Sequence, residues 1–101
     1  MISTPDHKLH LTLDRLVFGE ETCFPEVHKM MDSMQPYLQS NHRKYFHDMQ
    51  TVVDVYSTTG NPMAALSAYL HIWLDFISDE VGQDRAVARC YGMIMRGEIK
   101  L

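Results

Sequence analysis

Cysteine, surplus positive charge and long unbroken apolar runs are all scarce in this chain of 101 residues, and each shortage closes off a class of protein. The two cysteines, Cys23 and Cys90, stand far apart with no Cys-x-x-Cys spacing, which fits neither a disulfide-stapled secreted scaffold nor a thiolate zinc site. Two reduced thiols are expected instead. Nine Lys and Arg against thirteen Asp and Glu leave a net charge of −4, so the chain lacks the basic face of a general nucleic-acid binder. The doublet Arg43/Lys44 is too small to supply one. The most apolar stretch, 62–77, is interrupted by Ser67, His71 and Asp75 and is too short to span a bilayer. The opening "MISTPDHKLHL" has no charged-then-apolar signal layout, so no export, no membrane span and a cytoplasmic location are expected. Also missing are a glycine-rich phosphate loop, a Gly-x-Ser-x-Gly elbow, an alternating strand pattern and any repeat.

What is present suits a soluble globular protein. The apolar share is 46% and the charged share 22%, and the length supports one modest core, so residues 1–101 read as a single helical domain. The punctuation is that of a compact all-α bundle of about five short helices. Ser3 or Thr4 caps a first helix that begins at Pro5, carries Leu9, Leu13, Leu16 and Val17, and closes at Gly19. Pro25 and Glu26 start a second, with Val27, Met30, Met31 and Met34 on one face and Pro36 as its stop. A third is expected from a cap at Ser40 or Asn41 to Gly60, with a stripe of Tyr45, Phe46, Met49, Val52, Val53 and Tyr56. Asn61 and Pro62 open the fourth, residues 61–80, which is apolar nearly all round and therefore expected at the centre. A last helix runs from about Asp84 to Arg96. The eight methionines and the one tryptophan, Trp73, read as core filler.

Histidine and aspartate recur at one spacing. His10 precedes Asp14 by four, His28 precedes Asp32 by four, and His71 precedes Asp75 by four. Composition alone would give roughly half of one such pair. Residues four apart on a helix share a face, so each pair can be a hydrogen-bonded couple or two metal ligands from one turn. On the central helix, Ser67, His71, Asp75 and Ser78 form a narrow polar stripe. Facing water, that stripe is only an exposed edge; facing the bundle, its carboxylate needs a partner or a metal.

The segment "HRKYFHD", residues 42–48, adds two more histidines and an aspartate. On a continuous helix His42 lies with Tyr45, Phe46, Met49 and Val53, while His47 lies nearly opposite and Asp48 falls between. One straight helix therefore does not aim both histidines at one ion.

"HLTLDRLVFG", "VHKMMD", "HRKYFHD" and "HIWLD" together resemble a family of small, uncharacterised bacterial and phage proteins. That family has a histidine ahead of a glycine, then His-x3-Asp, then a His-Arg-x3-His-His centre, then a later His-x3-Asp. His10, Gly19, His28, Asp32, His42, Arg43, His47, His71 and Asp75 match, with Asp48 in place of the second histidine of the centre. The likeness covers roughly residues 10–75 and implies that these residues belong to one site. It brings no activity with it. The HD-type phosphohydrolases, whose helices carry a His-Asp doublet in a metal site, are a looser likeness; here the doublet follows the first histidine far too closely.

The expectation is a helical protein holding a divalent transition metal through imidazole and carboxylate, a donor set that suits Zn, Mn, Fe or Ni. His28, His42, His71 and Asp75 are the leading ligands; His10, Asp32, His47 and Asp48 stand behind them, orienting those ligands or serving a second metal. An open coordination position would activate water for hydrolysis, with phosphoesters as the guessed substrate class. The competing expectation is a metal-free interaction or regulatory module of the virus- or mobile-element-encoded kind. It would be a homo-oligomer, with a dimer favoured, using the apolar surplus of 62–77 and "AVARCYGMIM".

Overall fold

The computed structural model describes residues 7–20, 22–33 and 48–100. Among these residues lie five helices and no strand: α1 (His7–Phe18), α2 (Pro25–Met31), α3 (Met49–Thr59), α4 (Pro62–Val81) and α5 (Gln83–Met95). The architecture is the all-α bundle that the punctuation predicts. Helix α4 is its centre and touches each of the other four. No helix among the described residues is long and apolar enough to cross a membrane.

Local chemistry explains most boundaries. Asn61 caps α4 by accepting from the Met63 N–H at 3.0 Å, and Pro62 sits where its missing N–H costs nothing. Gly60 ends α3 in the left-handed region at φ 65°, returning its N–H to the Tyr56 carbonyl at 2.8 Å. Gly82 separates α4 from α5 as a single-residue turn at φ 83°.

Two helices differ from the sequence expectation. Helix α2 stops at Met31, because Asp32 takes the C-cap and returns its N–H to the His28 carbonyl at 3.0 Å. Met34 and Pro36 lie outside the described residues. Helix α3 begins at Met49 instead of near Asn41. At Asp48 the backbone is extended (φ −135°, ψ 176°), and its carboxylate accepts from the Thr51 N–H at 2.9 Å and the Thr51 hydroxyl at 3.0 Å. That cap breaks any continuous helix from 41 to 60, and with it the wheel that set the expected stripe. Thr51 and Val55 are buried and Val52 is half-buried, whereas Met49, Val53 and Tyr56 are exposed. Tyr45 and Phe46 lie outside the described residues.

The apolar interior falls into two clusters on either side of α4. Leu13, Leu70, Leu74, Ile77, Ala86, Cys90 and Ile99 join α1, α4, α5 and the tail. Val27, Met31, Val55, Ala64 and Ala68 join α2, α3 and α4. At 100° per residue, Leu70, Leu74 and Ile77 form one flank of α4, Ala64, Ala68 and Ile72 the other, and Ser67, His71, Asp75 and Ser78 the strip between. All four strip residues are buried. The stripe points inward.

Cys90 lies within the first cluster with no exposure, and burial pushes its thiol up to about 12, whereas Cys23 is half-buried. Since the thiolate is the reactive form, a maleimide added to native protein is expected to modify Cys23 and to reach Cys90 only in denaturant. Mass spectrometry of the labelled peptides reads this directly; equal native labelling would place α5 away from α1 and α4.

Candidate metal centre

Three segments deliver the polar cluster. Helix α1 carries His10 and Asp14 one turn apart, α2 carries His28 with Asp32 at its C-cap, and α4 carries Ser67, His71 and Asp75. His10, Asp14, His28, Ser67, His71 and Asp75 are each at most 2% exposed; Asp32 is the half-buried member, its side chain 14% exposed. Each of the three cluster histidines meets an aspartate from another segment. His28 Nε2 lies 2.7 Å from Asp14 Oδ2, His71 Nε2 lies 3.1 Å from Asp32 Oδ1, and His10 Nε2 lies 3.4 Å from Asp75 Oδ1. The His-x3-Asp spacing thus makes pairs of neighbours on each segment, and packing exchanges the partners between segments.

Asp14 anchors one end. Its carboxylate accepts from the Phe24 N–H at 3.0 Å and from the Ser67 hydroxyl at 2.7 Å, as well as facing His28 Nε2. Ser67 Oγ is also 3.1 Å from His28 Nε2, where it can accept while donating to Asp14. From His28 the chain continues through Nδ1 to His71 Nδ1 at 2.9 Å, and then through His71 Nε2 to Asp32. His71 Nε2 is also 3.5 Å from Asp75 Oδ2.

Among the described residues the hydrogens fall one short. Asp14 to His28, His28 to His71 and His71 to Asp32 are three contacts, each needing one hydrogen or a cation between its atoms. Two neutral imidazoles carry only two hydrogens. Placing a third on His71 makes an imidazolium. Burial opposes that: removal from water, with the neighbouring His10 adding to it, pulls His71 down to about 3 against the pull of Asp32 and Asp75. His71 is therefore a neutral imidazole at ordinary pH, the form that ligates metals.

His10 carries a second deficit. Its ring stacks on His71 with centroids 3.7 Å apart and planes 5° from parallel. Although Nε2 is within ion-pair distance of Asp75, neither ring nitrogen has an aligned hydrogen bond among the described residues. A buried polar group left this way costs roughly 1–3 kcal/mol.

Two overlapping groups bring ligand-capable atoms within 4.8 Å of one another: His10, His28 and His71, and Asp32, His71 and Asp75. Of the eight sequence candidates, His10, His28, His71, Asp32 and Asp75 come together here. Asp48 is exposed and caps α3, outside both groups; Thr51 holds its carboxyl below the usual range. His42 and His47 lie outside the described residues. Asp14 and Ser67 join the cluster without having been singled out as site residues. Their signals were present, since Asp14 completes the first His-x3-Asp pair and Ser67 lies on the polar stripe.

With chelator present, stability should fall as pH drops. The folded-state pKa of His71 is depressed from 6.5 to about 3, so the unfolded chain binds the extra proton and the stabilising contribution is present above about 6.5 and lost toward 3. Urea midpoints measured from about pH 8 to about pH 4 test this, and His71→Gln should flatten the slope. Removing the anchor should be severe. Asp14→Ala strands donors from Phe24, Ser67 and His28, and a loss of about 3–5 kcal/mol is expected from denaturation curves.

No protein-family model, no curated protein and no solved structure matches this chain, so the site stands on its own geometry.

Proposed function

We propose that this chain is a small metal-binding helical protein, with one divalent transition cation held where α1, α2 and α4 meet. The ligands are His71 through Nε2, Asp32 and Asp75, with His10, whose Nε2 is 3.4 Å from Asp75, stacked beside them. The observation that carries this reading is a buried His71 whose Nε2 faces two carboxylates, Asp32 at 3.1 Å and Asp75 at 3.5 Å. A cation at that point supplies the charge that the hydrogen count lacks, without protonating His71. The spacing is suitable: ligands about 2.0–2.2 Å from an ion stand roughly 3 Å apart at right angles and roughly 3.5 Å apart in a tetrahedron, and the contacts to His71 Nε2 are 3.1 and 3.5 Å. Imidazole with carboxylate suits Zn, Mn, Fe or Ni.

This assignment gives His28 a different place from the leading-ligand role expected of it. Its Nδ1 is directed at His71 and its Nε2 at Asp14. An ion held by His71, Asp32 and Asp75 would supply Lewis acidity and activate water for hydrolysis, with Asp32 the partly exposed member. Phosphoester hydrolysis is the reaction class to assay first. The competing reading, a metal-free homo-oligomeric module, draws support from Met49 and Tyr56, exposed beside Pro62, Ala65, Leu66 and Tyr69. Under it, the ion pairs within the cluster are simply a polar core.

Tag-free purification followed by elemental analysis separates the two readings. One equivalent of transition metal is expected in the native protein, with loss in His71→Ala and in the gentler Asp75→Asn, and a lower melting temperature after chelation. Folded, metal-free protein that takes up none of these ions and is indifferent to chelator would favour the interaction module; sedimentation at several concentrations would then measure its assembly.

A further inference from the structure

We infer that Asp14 and His28 form a positioning relay for the metal ligand His71, fixing its tautomer so that Nε2 presents a lone pair to the cation. The inference rests on the metal reading above and extends it to residues that touch no metal.

Hydrogens can be assigned along the chain from its anchored end. Asp14 already accepts from the Phe24 N–H at 3.0 Å and the Ser67 hydroxyl at 2.7 Å, so its carboxylate is held as an acceptor. His28 Nε2, at 2.7 Å from Asp14 and 3.1 Å from the Ser67 oxygen, therefore carries hydrogen and donates. A neutral His28 then has its lone pair on Nδ1. The partner 2.9 Å away, His71 Nδ1, must carry the hydrogen of that contact. His71 Nε2 is left with the lone pair, on the side where Asp32 and Asp75 converge.

Metal-bound histidine commonly donates its other N–H to a carboxylate or carbonyl, which fixes the ring and raises its basicity. Here a second imidazole stands between ligand and carboxylate. The relay is buried throughout: Asp14, His28, Ser67 and His71 are each at most 1% exposed, so water does not compete for its hydrogens. The α1 pair contributes twice over, since His10 stacks on the ligand His71 and Asp14 lies at the far end of the relay. The neighbouring His10 and Asp75 groups face the ligand end and do not meet the Asp14 anchor in the contacts above.

The test uses zinc alone as probe, with affinity read by chelator competition on the full chain. His28→Leu should weaken zinc binding about 10- to 100-fold while keeping one ion per chain. His28→Asn, which can place a carbonyl acceptor near the Nδ1 position, should recover much of that loss; Asp14→Asn should weaken binding and keep the stoichiometry. Imidazole 15N shifts of the zinc-loaded protein should show hydrogen on His71 Nδ1 and His28 Nε2, with zinc on His71 Nε2. A His28→Leu protein that binds zinc as tightly as the parent overturns the relay. So do a zinc-bound nitrogen on His28 and a loss of stoichiometry in all His28 variants equal to that in His71→Ala; both leave the metal reading intact. A parent protein that takes up no zinc or other transition metal overturns the metal reading, and the relay falls with it.

Discussion

Burying carboxylates beside imidazoles is the constraint on which the rest of this structure depends. An isolated carboxylate does not survive transfer into an apolar interior without a partner. Asp14 and Asp75 are buried at the junction of α1, α2 and α4, with Asp32 at its edge. Each is answered by histidine from another segment, and Asp14 also by a backbone N–H and a hydroxyl. Because the partners come from different segments, the electrostatic requirement is also a packing requirement. α1, α2 and α4 must approach in one register for the exchange to close.

Helix α4 makes this arrangement compatible with a core. Its buried strip of Ser67, His71, Asp75 and Ser78 runs between two apolar flanks, each with its own cluster. The flanks contribute the hydrophobic driving force, on the order of 1.5–3 kcal/mol for each large side chain fully buried. Small residues, Ala64, Ala68 and Ala86, let neighbouring helices come close. The strip contributes directionality instead. Hydrogen bonds between α1, α2 and α4 accept few alternative registers, whereas aliphatic contacts accept many. Helix α2, only seven residues long, has little apolar surface to dock with beyond Val27 and Met31, so His28 and Asp32 carry much of what orients it.

The same junction concentrates chemistry. His71 is held neutral by its surroundings and offers one nitrogen to His28 and the other to two carboxylates. His10 stacks flat on it with both nitrogens unbonded among the described residues. The cation proposed above would sit against His71 Nε2, Asp32 and Asp75, which would link the stability of the junction to the function proposed for it.

By itself the sequence determined the local items: the caps and stops at Asn61, Pro62 and Gly60, the central rank of residues 61–80, and the placement of each histidine one turn before its aspartate. These depend on φ/ψ preference and helical period, which act over a few residues. Only the tertiary structure decided that the polar stripe of α4 faces inward, that α3 starts at Asp48 and turns Met49, Val53 and Tyr56 outward, and that Asp14 and Ser67 join the histidines. The physical reason is range. A spacing of four aligns two side chains on one helix, but which partners they meet depends on how separate helices pack, and α4 carried apolar residues on nearly every side. The choice was made by the approach of α1, α2 and α4 that sets each of these carboxylates beside a histidine of another segment.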